Sequence, residues 1–249
     1  DNTAVLIVAG PQVSYLAGEV ALIEAYLNRG GHLLWLGDPD SLLGLEPIAE
    51  QLGIRFHPGV VVDPLTRLYG VDNPAIVVIG DYRPHPLTAD FNLITLFPFS
   101  AGLSFDAQDS WRGEPFLVSN DRSWSEVGVL TGDVMQDIDD IAGPLDLAYS
   151  LIRPRSTEGV EQRVVVIGDG DFLSNAYLTN GGNLDLGMNI VNWLSLDDSL
   201  INIPTRTAPD MLLMLSPGQV RFMEIGYVVV LPLLLALTGL VIGWRRRVL

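Results

Sequence analysis

The chain has 249 residues, with 30 acids against 14 bases and a formal net charge of −16 at pH 7. A surface of that sign repels nucleic acid and excludes a nucleic-acid partner. Cysteine is absent, which removes disulfides and thiol catalysis, while 48% hydrophobic residues suffice for a sizeable core.

In chain order, residues 4–8 form a continuous apolar run, as expected of a strand buried on both faces. A helix is predicted over 15–29, with Leu16, Val20, Ile23 and Leu27 at helical spacing and Gly30-Gly31 as its stop. His32–Leu36 is then a second strand, and a connection of this length favours parallel pairing. Glu46–Leu52 reads as a short helix ended by Gly53. Val60–Val62, 75–79 and 95–99 read as strands. Between 102 and 143 the pattern weakens, with a short strand at 116–118 and an acidic loop over 133–140. Strands follow at 146–152 and 163–167, then a helix start at 172–178 and a clearer helix over 185–194, capped by Asn183 or Asp185. These elements predict an α/β domain over 1–203, built on a mostly parallel open sheet with flanking helices.

The mean hydropathy is +0.32, and much of it comes from 225–244, which carries no charge. At about 1.5 Å per residue this run reaches roughly the 30 Å of a hydrocarbon core, which predicts one C-terminal transmembrane helix. Residues 204–224 would connect it to the domain. Arg245, Arg246 and Arg247 follow at once, so the positive-inside rule puts the basic tail 245–249 in the cytoplasm. The expected location is the bacterial inner membrane, with a single-pass anchor in contact with lipid and the main domain periplasmic. Gly239 and Gly243 form a Gly-x-x-x-Gly pair, a spacing that lets helices approach closely, against the plainer reading of a lipid-facing pair. Asp1 stands where a start methionine would and no signal peptide is visible, so the chain reads as a fragment or a processed product.

Three strands end alike. Leu36 precedes Gly37-Asp38-Pro39-Asp40, Ile79 precedes Gly80-Asp81, and Ile167 precedes Gly168-Asp169-Gly170-Asp171. In an open parallel sheet such ends share one edge, where ligands bind. Asp38 with Asp40, and Asp169 with Asp171, are candidate oxygen ligands for Mg²⁺ or Ca²⁺. The alternative is structural, since aspartate after glycine commonly closes an Asx turn or caps a helix. Gly168-Asp169-Gly170 opens like a dinucleotide fingerprint, but Leu173 stands where the third glycine belongs. There is no Walker A or Gly-x-Ser-x-Gly sequence, so no cofactor is expected. Asn120, Asp121, Arg122 and Trp124 are either a contact surface or a solvated loop around one packed tryptophan.

Several stretches resemble one family: AVLIVAGP (4–11), EAYLNRGGHLLWLGDP (24–39), SNDRSWSE (119–126), GPLDLAYSL (143–151), the run from Arg163 to Leu194, and SPGQ (216–219). In that order they resemble the GldG-like auxiliary component of ABC-type transport systems, a family associated with gliding motility. The resemblance implies an extracytoplasmic domain with a flavodoxin-like or glutamine-amidotransferase-like sheet, working beside an ABC permease and a cytoplasmic ATPase. It carries no catalytic residues. Three readings stay open. The chain is a non-catalytic transporter accessory, a membrane-anchored binding domain for an envelope polysaccharide or lipid, or a metal-dependent hydrolase using the strand-end aspartates.

Overall fold

The computed structural model describes residues 3–39, 41–107, 111–130, 134–155, 161–196 and 232–233. The chain divides into two compact units, Asp1–Thr205 and Arg206–Leu249. The first unit is built on a seven-stranded sheet. Three neighbours, β1 (Val5–Ala9), β2 (His32–Leu36) and β12 (Glu161–Ile167), run parallel. β11 (Asp146–Pro154) lies antiparallel to β12, and β7 (Leu103–Phe105) and β8 (Arg112–Val118) pair with its other side. β3 (Ile54–Phe56) completes the sheet against β7.

Period-two alternation in the central strands builds a core on each face of the sheet. Leu33, Trp35, Val164 and Val166 point to one side and pack with Val20, Ile23 and Leu27 of α1 (Ala17–Asn28) and Ile48 and Leu52 of α2 (Glu46–Leu52). Leu34, Leu36, Val165 and Ile167 point to the other and pack with Phe97, Phe116, Phe172 and Ile190 and Trp193 of α3 (Asn183–Leu194). All five residues of β2 are buried, as its apolar sequence requires of a strand inside both layers. α2 begins on Pro47 in its first turn and ends on Gly53, whose φ of 68° is the left-handed conformation glycine tolerates.

Two small sheets complete the unit. β4 (Val60–Val62), β9 (Trp124–Glu126) and β10 (Ile141–Ala142) form one, and β5 (Ile76–Ile79) with β6 (Thr95–Pro98) forms the other. A 3₁₀ helix, Pro64–Tyr69, follows β4, opened by Asp63 accepting from the Leu65 amide at 2.8 Å.

The expected mostly parallel sheet is not what forms. Only β1–β2 and β2–β12 pair in parallel among the described strands; every other pairing is antiparallel, and three sheets replace one. The reason is connection length. Parallel neighbours need a crossover of a dozen or more residues, and far fewer separate the end of β11 at Pro154 from the start of β12 at Glu161. Residues 172–178 form turns rather than a helix start. Asn183 does not cap α3 with its side chain; it is buried among backbone groups described below.

The expected transmembrane helix, and with it the inner-membrane location and lipid contact, is also corrected. Among the described residues no helix is long and apolar enough to cross a membrane. α1 and α3 reach 12 residues each, about 18 Å. Of 225–244 only Pro232 and Leu233 are described, both helical; the rest of that run, Gly239 and Gly243 included, lies outside the described residues. A helix apolar all round is enclosed, and a protein core can enclose it as well as a bilayer.

Candidate functional site

Parallel pairing brings the carboxyl ends of β1, β2 and β12 to one edge, and their following loops interlock there. The Gly10 amide donates to Leu36 O at 3.0 Å and the Gly37 amide to Ile167 O at 2.9 Å. The Gly170 amide then donates to Asp38 Oδ1 at 2.9 Å, tying the loop after β12 to the loop after β2. A Cβ on Gly170 would lie 2.7 and 2.8 Å from the Asp38 carboxylate oxygens and 2.8 Å from Gly10 Cα. Only glycine allows so close an approach.

Asp169 is fully buried. Its Oδ1 accepts from the amides of Asp171, at 2.7 Å, and Phe172, at 2.9 Å, and its Oδ2 accepts from Ser100 Oγ at 3.1 Å. Burial raises its carboxyl well above the ordinary carboxylate range, against the pull of these donors. Asp38 is half-buried; burial raises its carboxyl too, the Gly170 amide opposes this, and the charge of Asp171 adds to it. Asp171 is exposed. Asp38, Asp169 and Asp171 therefore do gather at one edge, with Asp169 used as the acceptor of an Asx turn. Asp40 lies outside the described residues.

Asp81 is not at this edge. Its strand, β5, belongs to a separate hairpin with β6, so the shared Gly-Asp ending reflects turn chemistry rather than a common site. The resemblance between the three strand ends depended on one continuous parallel sheet. Trp124 is buried, and its Nε1 donates to Glu126 Oε2 at 3.0 Å; Asn120 Oδ1 accepts from the Arg122 amide at 2.7 Å, closing a turn.

Grooves flank Asp38. One, about 510 Å³, runs between α2 and β3 and is lined by Glu46, Glu50, Arg55, Phe56 and Asp106 besides Asp38. The other, about 220 Å³, is bounded by Gln12, Trp35 and Leu43. Arg55 pairs with Asp106 at 2.6 Å, but both are exposed, so the pair adds little stability. Among the described residues no group of three or more His, Asp or Glu could hold a metal ion. Sequence reasoning found Asp38 and Asp169 but missed Ser100, which reaches Asp169 from the loop after β6 and carries no local signal. It also missed Glu46, Glu50 and Asp106, which only the packing of α2 and β7 brings to the groove.

The amino-acid sequence of residues 1–191 matches the family model described as ABC-type uncharacterized transport system. The chain belongs to this family. Membership bears out the resemblance to GldG-like auxiliary transport components, and it makes the chain an auxiliary component of an ABC-type transport system. None of the curated proteins matches this ABC-transport chain. Among solved structures it is similar to the mmIFT52 N-terminal domain, at 19% identity and a TM-score of 0.56 over 77% of each chain. At that identity the likeness establishes a shared fold only.

Proposed function

We propose that this ABC-transport component works as a non-catalytic accessory, acting by contact with a permease and with the ATPase that supplies hydrolysis. The observation that carries this reading is the state of Asp169. A hydrolase of the Asp-x-Asp type needs carboxylate oxygens free for a metal or a substrate. Both oxygens of Asp169 are already occupied by three donors inside the protein, with the residue fully buried. Asp38 gives one oxygen to Gly170 in the same interlock. The carboxylates most suggestive of chemistry thus hold three loops together. The chain itself has no phosphate-binding loop, so the energy for transport is a partner's.

The test is replacement of Asp38 and Asp169 by asparagine in the native host, read as the output of the transport system. Asparagine keeps the acceptor geometry and removes the charge. Full output in both variants is expected. Loss of output from either protein while it accumulates folded at the normal level would contradict the non-catalytic reading.

A further inference from the structure

A further groove of about 550 Å³ lies between the β5–β6 hairpin and the turn after β8. Its lining includes Tyr69, Gly80, Asp81, Arg83, Asn120 and Asp121. The volume falls within the roughly 300–1,000 Å³ of small-molecule clefts.

Hydrogen bonds fix each wall of this groove while the functional ends of its side chains stay at the surface. On one side the Tyr82 hydroxyl lies within hydrogen-bond distance of Ile79 O, at 3.0 Å, and Leu93 O, at 2.8 Å, and shares its single proton between them, while Thr95 Oγ1 stands at 2.8 Å. Three residues on, His85 is buried between Pro84 and Pro86. Its Nδ1 accepts from the Leu87 amide at 3.1 Å, so its Nε2–H donates to Ser150 Oγ at 2.7 Å, and its ring stacks on Phe116. These anchors hold exposed Asp81 and Arg83 in place. On the other side buried Ser119 meets Ser123 Oγ at 2.6 Å and accepts from the Leu145 amide at 2.8 Å, and Ser123 Oγ donates to Asn120 O at 2.8 Å. That network positions Asn120 and exposed Asp121. Tyr69, 54% exposed, lines the groove, and its hydroxyl lies 3.9 Å from where a Cβ on Gly80 would stand. Pre-organisation of this kind reduces the entropy a ligand must overcome.

From this arrangement we infer that the groove binds a neutral saccharide. The two carboxylates of Asp81 and Asp121 accept, while the Arg83 guanidinium and the Asn120 amide donate. A hydroxyl both donates and accepts, so a run of sugar hydroxyls matches this alternation. The Tyr69 ring suits the apolar C–H face of a pyranose. An anion meets two carboxylates against one guanidinium, and that guanidinium already faces Asp146 at 3.8 Å. A basic peptide would leave the Arg83 donors opposed to a like charge. The lining of this groove shares no residue with the two grooves beside Asp38, and the inference does not depend on the accessory reading.

The test is saturation-transfer-difference NMR on the full chain with maltotetraose, cellotetraose and chitotetraose, each at millimolar concentration. Saturation transfer to at least one of them is expected, with binding at least tenfold weaker in Tyr69→Ala and in Asp121→Ala. Both residues are exposed, so circular dichroism should show the fold intact in each variant. Arg112→Ala, exposed on β8 and outside every groove described above, should bind as the unsubstituted chain does. No transfer to any of the three sugars, or transfer unchanged by both substitutions, would overturn the inference. So would a lysine-rich peptide that binds the groove, is weakened by Asp121→Ala and is not displaced by the sugar, which would make the surface a protein contact.

Discussion

Asp169 shows how a residue suited to catalysis can be a structural acceptor. Its charge is buried at a cost, while the acceptor geometry is what the Asp171 and Phe172 amides and the Ser100 hydroxyl use. Asp169→Asn keeps an acceptor for both amides and should leave urea-denaturation stability within about 1 kcal/mol of the original or raise it. Asp169→Ala strands three buried donors and should cost about 2–4 kcal/mol in the same measurement. His85 predicts a pH dependence. Burial lowers its pKa from the ordinary 6.5 to about 4. As the folded value lies below the unfolded one, the unfolded chain gains the proton first. The His85 contribution is fully present above pH 6.5, falls between about 6.5 and 4, and stays lost below that. The raised carboxyls of Asp38 and Asp169 act in the opposite sense, gaining stability as pH falls, so the whole-chain curve mixes them. The difference between the unsubstituted chain and His85→Gln isolates the histidine. Across that window the unsubstituted chain should lose about 3 kcal/mol relative to the variant. A flat difference would mean that His85 protonates in place.

At the level of elements, legibility follows how local the signal is. β1, α1, β2, α2 and the core of β12 are written in their own residues, as continuous apolar runs or helical periodicity, and they form where the sequence predicts. β3, β7, β9 and the 3₁₀ helix Pro64–Tyr69 were not read. The strands have three residues each, too short for a period to show, and exist because neighbouring strands pair with them. Asn183 is a similar case. Its position suggested a helix cap, yet Oδ1 accepts from the Leu96 amide and the two hydrogens of Nδ2 are shared among Leu96 O, Phe172 O and Tyr177 O, all within 2.9–3.1 Å. It joins β6, the turn after β12 and α3, contacts up to 87 residues apart that no local pattern encodes. Asn183→Ala should lower stability by about 2–4 kcal/mol, read as a reduced urea midpoint with an unchanged slope. The same limit applied at the strand-end edge. The sequence marked Asp38 and Asp169, whose glycine neighbours signal turns, but grouped them with Asp81, because direction of pairing is not carried by a strand's own residues.

For the molecule as a whole, the net charge of −16 sets a background against which local interactions act. Self-repulsion of that size weakens the compact state, and salt screens it. Raising NaCl from about 20 mM to about 500 mM should therefore raise the thermal midpoint by a few degrees, roughly 2–4 °C for each kcal/mol recovered. A falling midpoint would mean that attractive pairs outweigh the excess of acids. The family establishes that the chain serves an ABC-type transport system, and service by contact rather than by chemistry is the proposal to be tested. The most direct measurement is affinity purification of the full-length protein from its native host in mild detergent, with the recovered proteins identified and quantified by mass spectrometry. The account predicts a multi-span permease and an ATPase in fixed ratio to the tagged chain. Recovery of the chain alone, under conditions that keep other ABC transporters of the same host intact, would contradict it.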